Sequence, residues 1–276
     1  MNEIEKLQDL KEKAAELRRV IVKTVYEAQS GHIGGSLSSA EILTALYFSE
    51  MKLDPAQPRM EERDRFVLSK GHVTPAYYGA LAMKGFFPLE DLKGFRKLES
   101  YLQGHPDRNK VAGVDMSSGS LGQGVSAAVG IALAGKLKGA DWRTYTLLGD
   151  GEIQEGQVWE AFMFAAQHKL DNLCVIIDNN GLQADGSIDA IASPNPIDEK
   201  LRAFGFSVCV IDGHDFKEIL NAFRQARNTR GMPTAIIAKT VKGKGVSFME
   251  NQSSWHGKAP NAEQFAQAWR ELEVAR

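Results

Sequence analysis

Two stretches decide the reading of the fold: Thr144-Tyr145-Thr146-Leu147-Leu148-Gly149-Asp150-Gly151-Glu152 and Leu173-Cys174-Val175-Ile176-Ile177-Asp178-Asn179-Asn180-Gly181-Leu182. Each is a short, continuous apolar run that breaks into glycine and Asx residues. An alternating pattern would mark a strand with one wet face; a continuous run marks a strand buried on both, as in a parallel sheet. Asp150 and Asn180 stand thirty residues apart, about one strand–helix–strand crossover. Both should therefore emerge at the same edge of the sheet, from neighbouring strands. Ligands of such sheets bind at the carboxyl ends of the strands. A carboxylate, a carboxamide and nearby carbonyls are hard oxygen donors suited to Mg²⁺ or Ca²⁺, and phosphate oxygens could complete the shell.

Working outward, Arg65–Leu68, Ser207–Ile211 and Thr234–Ala238 read as further buried strands. Helical spacing recurs over 75–84, 122–138, 156–168 and 215–229. A long amphipathic helix occupies 4–28, with Ile4, Leu7, Leu10, Ala14, Leu17, Ile21 and Val25 at intervals of three and four. A closing helix at 261–273 has Asn261 as its N-cap. The segment Gln29-Ser30-Gly31-His32-Ile33-Gly34-Gly35-Ser36 is too glycine-rich for a helix, and Ser38 or Ser39 is placed to cap the next one. Strands alternating with helices give an α/β fold: one domain over residues 1–276, a mostly parallel sheet covered by helices on both faces.

The composition narrows the function. With 276 residues, 43% hydrophobic, 25% charged and a net charge of -2, the chain is neither disordered nor basic enough for a nucleic-acid partner. No apolar run approaches the roughly 18 residues of a membrane span. No apolar segment follows the N-terminal Met-Asn-Glu-Ile-Glu-Lys, so no secretory signal is read there. Cys174 and Cys209 lie inside apolar runs and read as buried thiols of a reducing, cytoplasmic compartment.

Four of the six histidines, His32, His72, His105 and His214, follow glycine in loops, and His256 precedes one. Gathered at strand ends they would offer donors to an anion or a reacting oxygen. No pair has the spacing of a zinc site. His214 precedes a helix that Asp215 can cap, and no further role is assigned to it; His168 ends a helix, where a cation suits the dipole. A near-miss P-loop at Gly130–Leu137 has leucine where Mg²⁺ needs a hydroxyl and lies in an apolar helix, so nucleoside triphosphate hydrolysis is set aside.

Taken together, these segments are similar to transketolase. Gly-Asp-Gly (149–151) and Asn-Asn (179–180), with 27 residues between, resemble the thiamine diphosphate motif. SGHIGGS at 30–36, RFVLSKGH at 65–72, QGHPD at 103–107, SSGSLGQG at 117–124, AKTVKGKG at 238–245 and SSWHGKAP at 253–260 follow in the family's order. The resemblance covers the diphosphate-binding (PP) domain and implies the N-terminal subunit of a split transketolase. Such an enzyme uses thiamine diphosphate with Mg²⁺ (Ca²⁺ or Mn²⁺ as substitutes) to move a two-carbon ketol unit between sugars.

Carried onto this sequence, the resemblance implies that Asp150 and Asn180 ligate the metal by side chains and Leu182 by its carbonyl. Gly151, His72, Lys242 and His256 would hold the diphosphate, while Gly119 and Leu121 line the aminopyrimidine. His32, His105 and His256 would surround the reacting carbon, with His32 also touching the cofactor, and Glu155 would meet a partner chain. That partner is implied to be a C-terminal subunit with the pyrimidine-binding domain, in an α2β2 assembly acting on sugar phosphates. The family often has Pro where this chain has Ser120, and Asn where it has Lys70; neither change removes a ligand. A 2-oxo acid dehydrogenase or decarboxylase subunit, or a non-catalytic relative, is the alternative reading.

Overall fold

A computed structural model describes residues 2–274, with the backbone alone for Val274. Residues 1, 275 and 276 of the expected domain lie outside the described residues.

Among the described residues, seven strands are interspersed with ten α-helices. The strands are β1 (Arg65–Leu68), β2 (Thr144–Gly149), β3 (Leu173–Asn179), β4 (Leu182–Gln183), β5 (Gly186–Ser187), β6 (Ser207–Asp212) and β7 (Thr234–Lys239). The helices are α1 (Glu3–Ala28), α2 (Ile33–Ser38), α3 (Ala40–Ala45), α4 (Thr74–Lys84), α5 (Gln123–Lys138), α6 (Gly156–Gln167), α7 (Ile188–Ala192), α8 (Ile197–Ala203), α9 (Phe216–Asn228) and α10 (Ala262–Val274). The five expected strands form one sheet in the order β1-β2-β3-β7-β6, parallel throughout. The short β4 and β5 pair as an antiparallel hairpin beyond β3.

Side-chain alternation splits the core in two. Phe66, Leu68, Tyr145, Leu147, Cys174, Ile176, Ile236 and Ala238 face a cluster built with α1, α3, α4 and α9. Val67, Leu148, Leu173, Val175, Ile177, Ala235 and Ile237 face a second, built with α5, α6 and α8. That two-sided burial is why the strands read as unbroken apolar runs. Asn261 caps α10 as expected, accepting from the Gln264 amide at 2.9 Å while the Gln264 side chain accepts from the Asn261 amide at 3.0 Å.

One local expectation fails. Residues 33–38 are a helix, α2, and all of them are buried. Glycine costs a helix interior roughly 1 kcal/mol relative to alanine, but here the small residues are required. A Cβ on Gly34 would stand 2.9 Å from the Trp255 carbonyl oxygen and 3.1 Å from Cγ of Lys242. Close approach and burial of Ile33 and Leu37 therefore outweigh propensity. Ser39 precedes α3, yet its hydroxyl bonds back to the Gly35 carbonyl at 2.7 Å and caps nothing.

Candidate active site

Four adjacent strands deliver the candidate residues to one edge. β1 runs into Ser69-Lys70-Gly71-His72, β2 into Asp150-Gly151, β3 into Asn180-Gly181-Leu182 and β7 into Thr240-Val241-Lys242. A cavity of about 490 Å³ opens there. Its walls include every residue singled out from the sequence: His32, His72, His105, Gly119, Leu121, Asp150, Gly151, Asn180, Leu182, Lys242 and His256. Glu155 lies exposed at its rim. His214 lies outside it, as does His168, which stacks on Phe164 with ring centroids 4.2 Å apart.

The oxygen donors are gathered at the β2 and β3 ends. Asp150 accepts from the Gly181 amide at 2.6 Å and the Gly151 amide at 2.8 Å, with Asn179 at 3.2 Å. Asn180 Oδ1 accepts from the Leu182 amide at 3.1 Å, and the Leu182 carbonyl accepts from Lys242 Nζ at 3.1 Å. Burial, then the nearby charge of Asp178, pushes the Asp150 carboxyl up to about 6. A buried carboxylate with only dipoles for partners suits a cation, whose charge would reverse that shift. Among the described residues no group of three or more His, Cys, Asp or Glu is placed to hold a metal ion; the donors gathered here are a carboxylate, a carboxamide and a carbonyl, hard oxygens fitting Mg²⁺ or Ca²⁺ rather than zinc.

Three imidazoles stand in a triangle beside these donors. Ring centroids are 4.9 Å apart for His32 and His72, 5.3 Å for His32 and His256, and 5.2 Å for His72 and His256. Lys242 Nζ lies 3.0 Å from Nδ1 of His256. An ammonium can only donate, so Nδ1 accepts and the ring proton sits on Nε2. Nδ1 of His32 is buried without a partner, a donor or acceptor that a bound molecule could satisfy. Gly119 adopts φ +151°, and a Cβ there would stand 2.9 Å from Cδ2 of His105. Glycine thus lets the 117–122 loop close over that histidine.

These groups repel protons. Burial, then Arg96, His105 and Lys242, drives His32 down to about 4. Burial, then Lys242, His32 and Lys70, drives His256 to about 4. His72 and His105 are also lowered, by burial and then by Lys70 and Arg96 respectively. Lys242 falls to about 8 through burial and Lys70. Burial is the largest cause in each case, and the charges of Arg96, Lys70 and Lys242 add to it; an anion beside those cations would be stabilised. The histidines are neutral at pH 7, and the unfolded chain binds protons more readily than the fold between the ordinary value of 6.5 and about 4. Their contribution to stability is therefore complete above pH 6.5 and is lost as pH falls through that window, outweighing the opposite contribution of raised carboxyls such as Asp150. Thermal melts of the ligand-free chain should show Tm falling from pH 7 to pH 4.5, with inorganic pyrophosphate restoring more at the lower pH. Equal gains at both would show that the pocket's protons are not linked to anion binding.

Three charged residues beneath the cavity escape a reading of the motifs alone. Asp178 is wholly buried and accepts from Lys70, Ser38, Thr240 and Asn180, joining four segments. Burial opposes its charge, yet the Lys70 ammonium and these bonds keep its carboxyl below the usual range. Lys70 is 2% exposed. Glu152 accepts from Ser69 Oγ at 2.5 Å and from the Gly122 and Gly149 amides at 2.9 and 3.1 Å, tying the β1, β2 and 117–122 loops together. Their sequence signal is a charge within four residues of the end of an apolar run.

The family model for transketolase, thiamine diphosphate binding domain, matches residues 10–275. A 6-deoxy-6-sulfo-D-fructose transketolase subunit from a Clostridium species is 46% identical over 265 residues, covering 96% of both chains. An apulose-4-phosphate transketolase subunit from Phocaeicola vulgatus is 44% identical over 92% of this chain and 90% of its own. Among solved structures, a transketolase from Campylobacter jejuni superposes with a TM-score of 0.90 at 37% identity. That match spans 99% of this chain and 43% of the larger one.

Proposed function

The chain belongs to the transketolase family, carrying its thiamine diphosphate-binding domain, and from that premise we propose that it is the diphosphate-side subunit of a two-chain, Mg²⁺-dependent transketolase. The observation that carries the proposal is the single cavity where the oxygen donors of the β2 and β3 ends meet Lys242 from the loop after β7 and the three-histidine triangle. In this reading Asp150, Asn180 and the Leu182 carbonyl hold the metal, with Ca²⁺ or Mn²⁺ as substitutes. The Gly151 amide, His72, Lys242 and His256 hold the diphosphate, and Gly119 and Leu121 flank the pyrimidine ring. The cofactor supplies the electron sink for cleavage of the bond between C2 and C3 of a ketose.

His32, His105 and His256 then bind the sugar oxygens and relay protons to and from its hydroxyls. Neutral imidazoles suit that task at pH 7, since each can both donate and accept. The names of the two relatives carry a sulfo and a phosphate group, so a ketose with an anionic terminus is the proposed donor. Relatives named as subunits support a partner chain, for which we propose the pyrimidine-binding C-terminal subunit in an α2β2 complex. The exposed Leu121 and Glu155 at the cavity's rim support docking next to the cavity. No helix among the described residues is long and apolar enough to cross a membrane. The two free cysteines support a cytoplasmic setting.

The test is a ketol-transfer assay with the chain alone, its partner alone and the two mixed. Turnover is expected only in the mixture, with thiamine diphosphate and Mg²⁺ present and a ketose phosphate as donor. Turnover by the chain alone would overturn the partner requirement, and turnover of pyruvate but no sugar would favour the 2-oxo acid alternative.

A further inference from the structure

His214 lies outside the cavity, yet both its ring nitrogens are engaged. Nε2 accepts from the Val241 amide at 2.9 Å, and Nδ1 lies 2.9 Å from a Glu41 carboxylate oxygen. An amide can only donate, so the ring proton is on Nδ1 and goes to Glu41. Glu41 also accepts from Arg18 at 2.6 Å, and Arg18 Nε donates to the Lys244 carbonyl at 3.1 Å. Arg18 and Glu41 are 8% and 7% exposed. One buried chain of bonds thus begins on α1, crosses α3, and grips the loop after β7 at residues 241 and 244, on either side of Lys242.

The turn bearing His214 is pressed onto that loop. The Gly213 amide donates to the Lys239 carbonyl at 2.8 Å, and a Cβ at position 213 would meet the Thr240 methyl at 2.5 Å. The loop carries glycines with positive φ, Gly243 at +78° between its anchors and Gly245 at +91° just beyond the second. Such a backbone has many alternatives when released. Lys242 Nζ at the loop's tip touches the Leu182 carbonyl and His256, so its place depends on where the loop is clamped.

We propose that Arg18, Glu41 and His214 form a positioning triad that fixes the Lys242 loop for cofactor binding without touching the cofactor. This rests on the proposed function for its consequence, but the clamp itself is a property of the chain alone. A buried donor or acceptor left unpaired costs about tenfold or more in an equilibrium constant, and outer partners of a binding site are worth roughly 10- to 100-fold in affinity.

The experiment compares His214→Gln with His214→Asn. The glutamine oxygen can stand where Nε2 stands and accept from Val241; the asparagine amide reaches only the Nδ1 position. Two readouts are used: amide exchange of residues 241–245 in the chain alone, and thiamine diphosphate affinity of the mixed complex at saturating Mg²⁺. Asparagine should speed loop exchange and weaken affinity, each by about tenfold, while glutamine stays within about threefold of the unaltered protein. Exchange in β3 should be unchanged in both. Loop exchange in the asparagine variant no faster than in the unaltered protein overturns the clamp. Faster loop exchange with unchanged affinity overturns its role in binding. If the unaltered complex binds no thiamine diphosphate, the functional reading fails, while the exchange result still judges the clamp.

Discussion

Replacing Asp150 by alanine is expected to weaken Mg²⁺-dependent binding of thiamine diphosphate by more than about 100-fold, since even the outer partners of metal ligands are worth roughly 10- to 100-fold. Asp150 is the one carboxylate among the three proposed ligands, and it supplies the only full negative charge. The Gly151 and Gly181 amides and Asn179 fix its orientation. Calorimetric titration of the mixed complex at several Mg²⁺ concentrations measures the loss. The proton competes with the metal for this carboxylate, which burial and Asp178 have raised to about 6. The affinity of the unaltered complex should therefore fall as pH drops through about 6. Affinity unchanged in the alanine variant would remove Asp150 from the site.

Replacing Asp178 by alanine is expected to act on the fold itself, at a cost of about 3–5 kcal/mol, the range for breaking a buried ion pair from one side. The variant leaves the Lys70 ammonium, 2% exposed, without its counter-charge, deprives Thr240 and Asn180 of their acceptor, and leaves Ser38 and Lys70 only the Gly35 carbonyl. These donors sit on four different segments, so the damage spreads across the sheet edge. Urea denaturation of the metal-free chain measures it. A second substitution, Lys70→Met, removes the stranded charge, and the double variant should be less destabilised than the sum of the singles. A loss below about 1 kcal/mol for Asp178→Ala would show that water reaches Lys70 and that the pair is not the hub described.

The sheet was legible because its strands are buried on both faces. Leu147 and Leu148 point to opposite core clusters, and their adjacency in the sequence reports both. The cavity residues were legible as glycine-flanked polar residues directly after such runs. Ile33–Ser38 was not, because its helix is imposed by the approach of Trp255 and Lys242 to Gly34, contacts some 200 residues distant in sequence. Asp178, Lys70 and Glu152 were passed over for a related reason. Their partners lie on other loops, and a local window shows only a charge at a strand end. His214 was read as idle beside a capping Asp215. That cap exists, with Asp215 accepting from the Lys217 amide at 2.7 Å, but the histidine's partners on α3 and after β7 could be found only in three dimensions.

Crystals of the mixed complex grown with thiamine diphosphate and Mn²⁺ would probe the metal site most directly through the anomalous signal of the metal. A single peak is expected within coordination distance of an Asp150 carboxylate oxygen, the Asn180 amide oxygen and the Leu182 carbonyl, with the diphosphate against it. A peak elsewhere, or a diphosphate bound away from those three oxygens, would contradict the assignment.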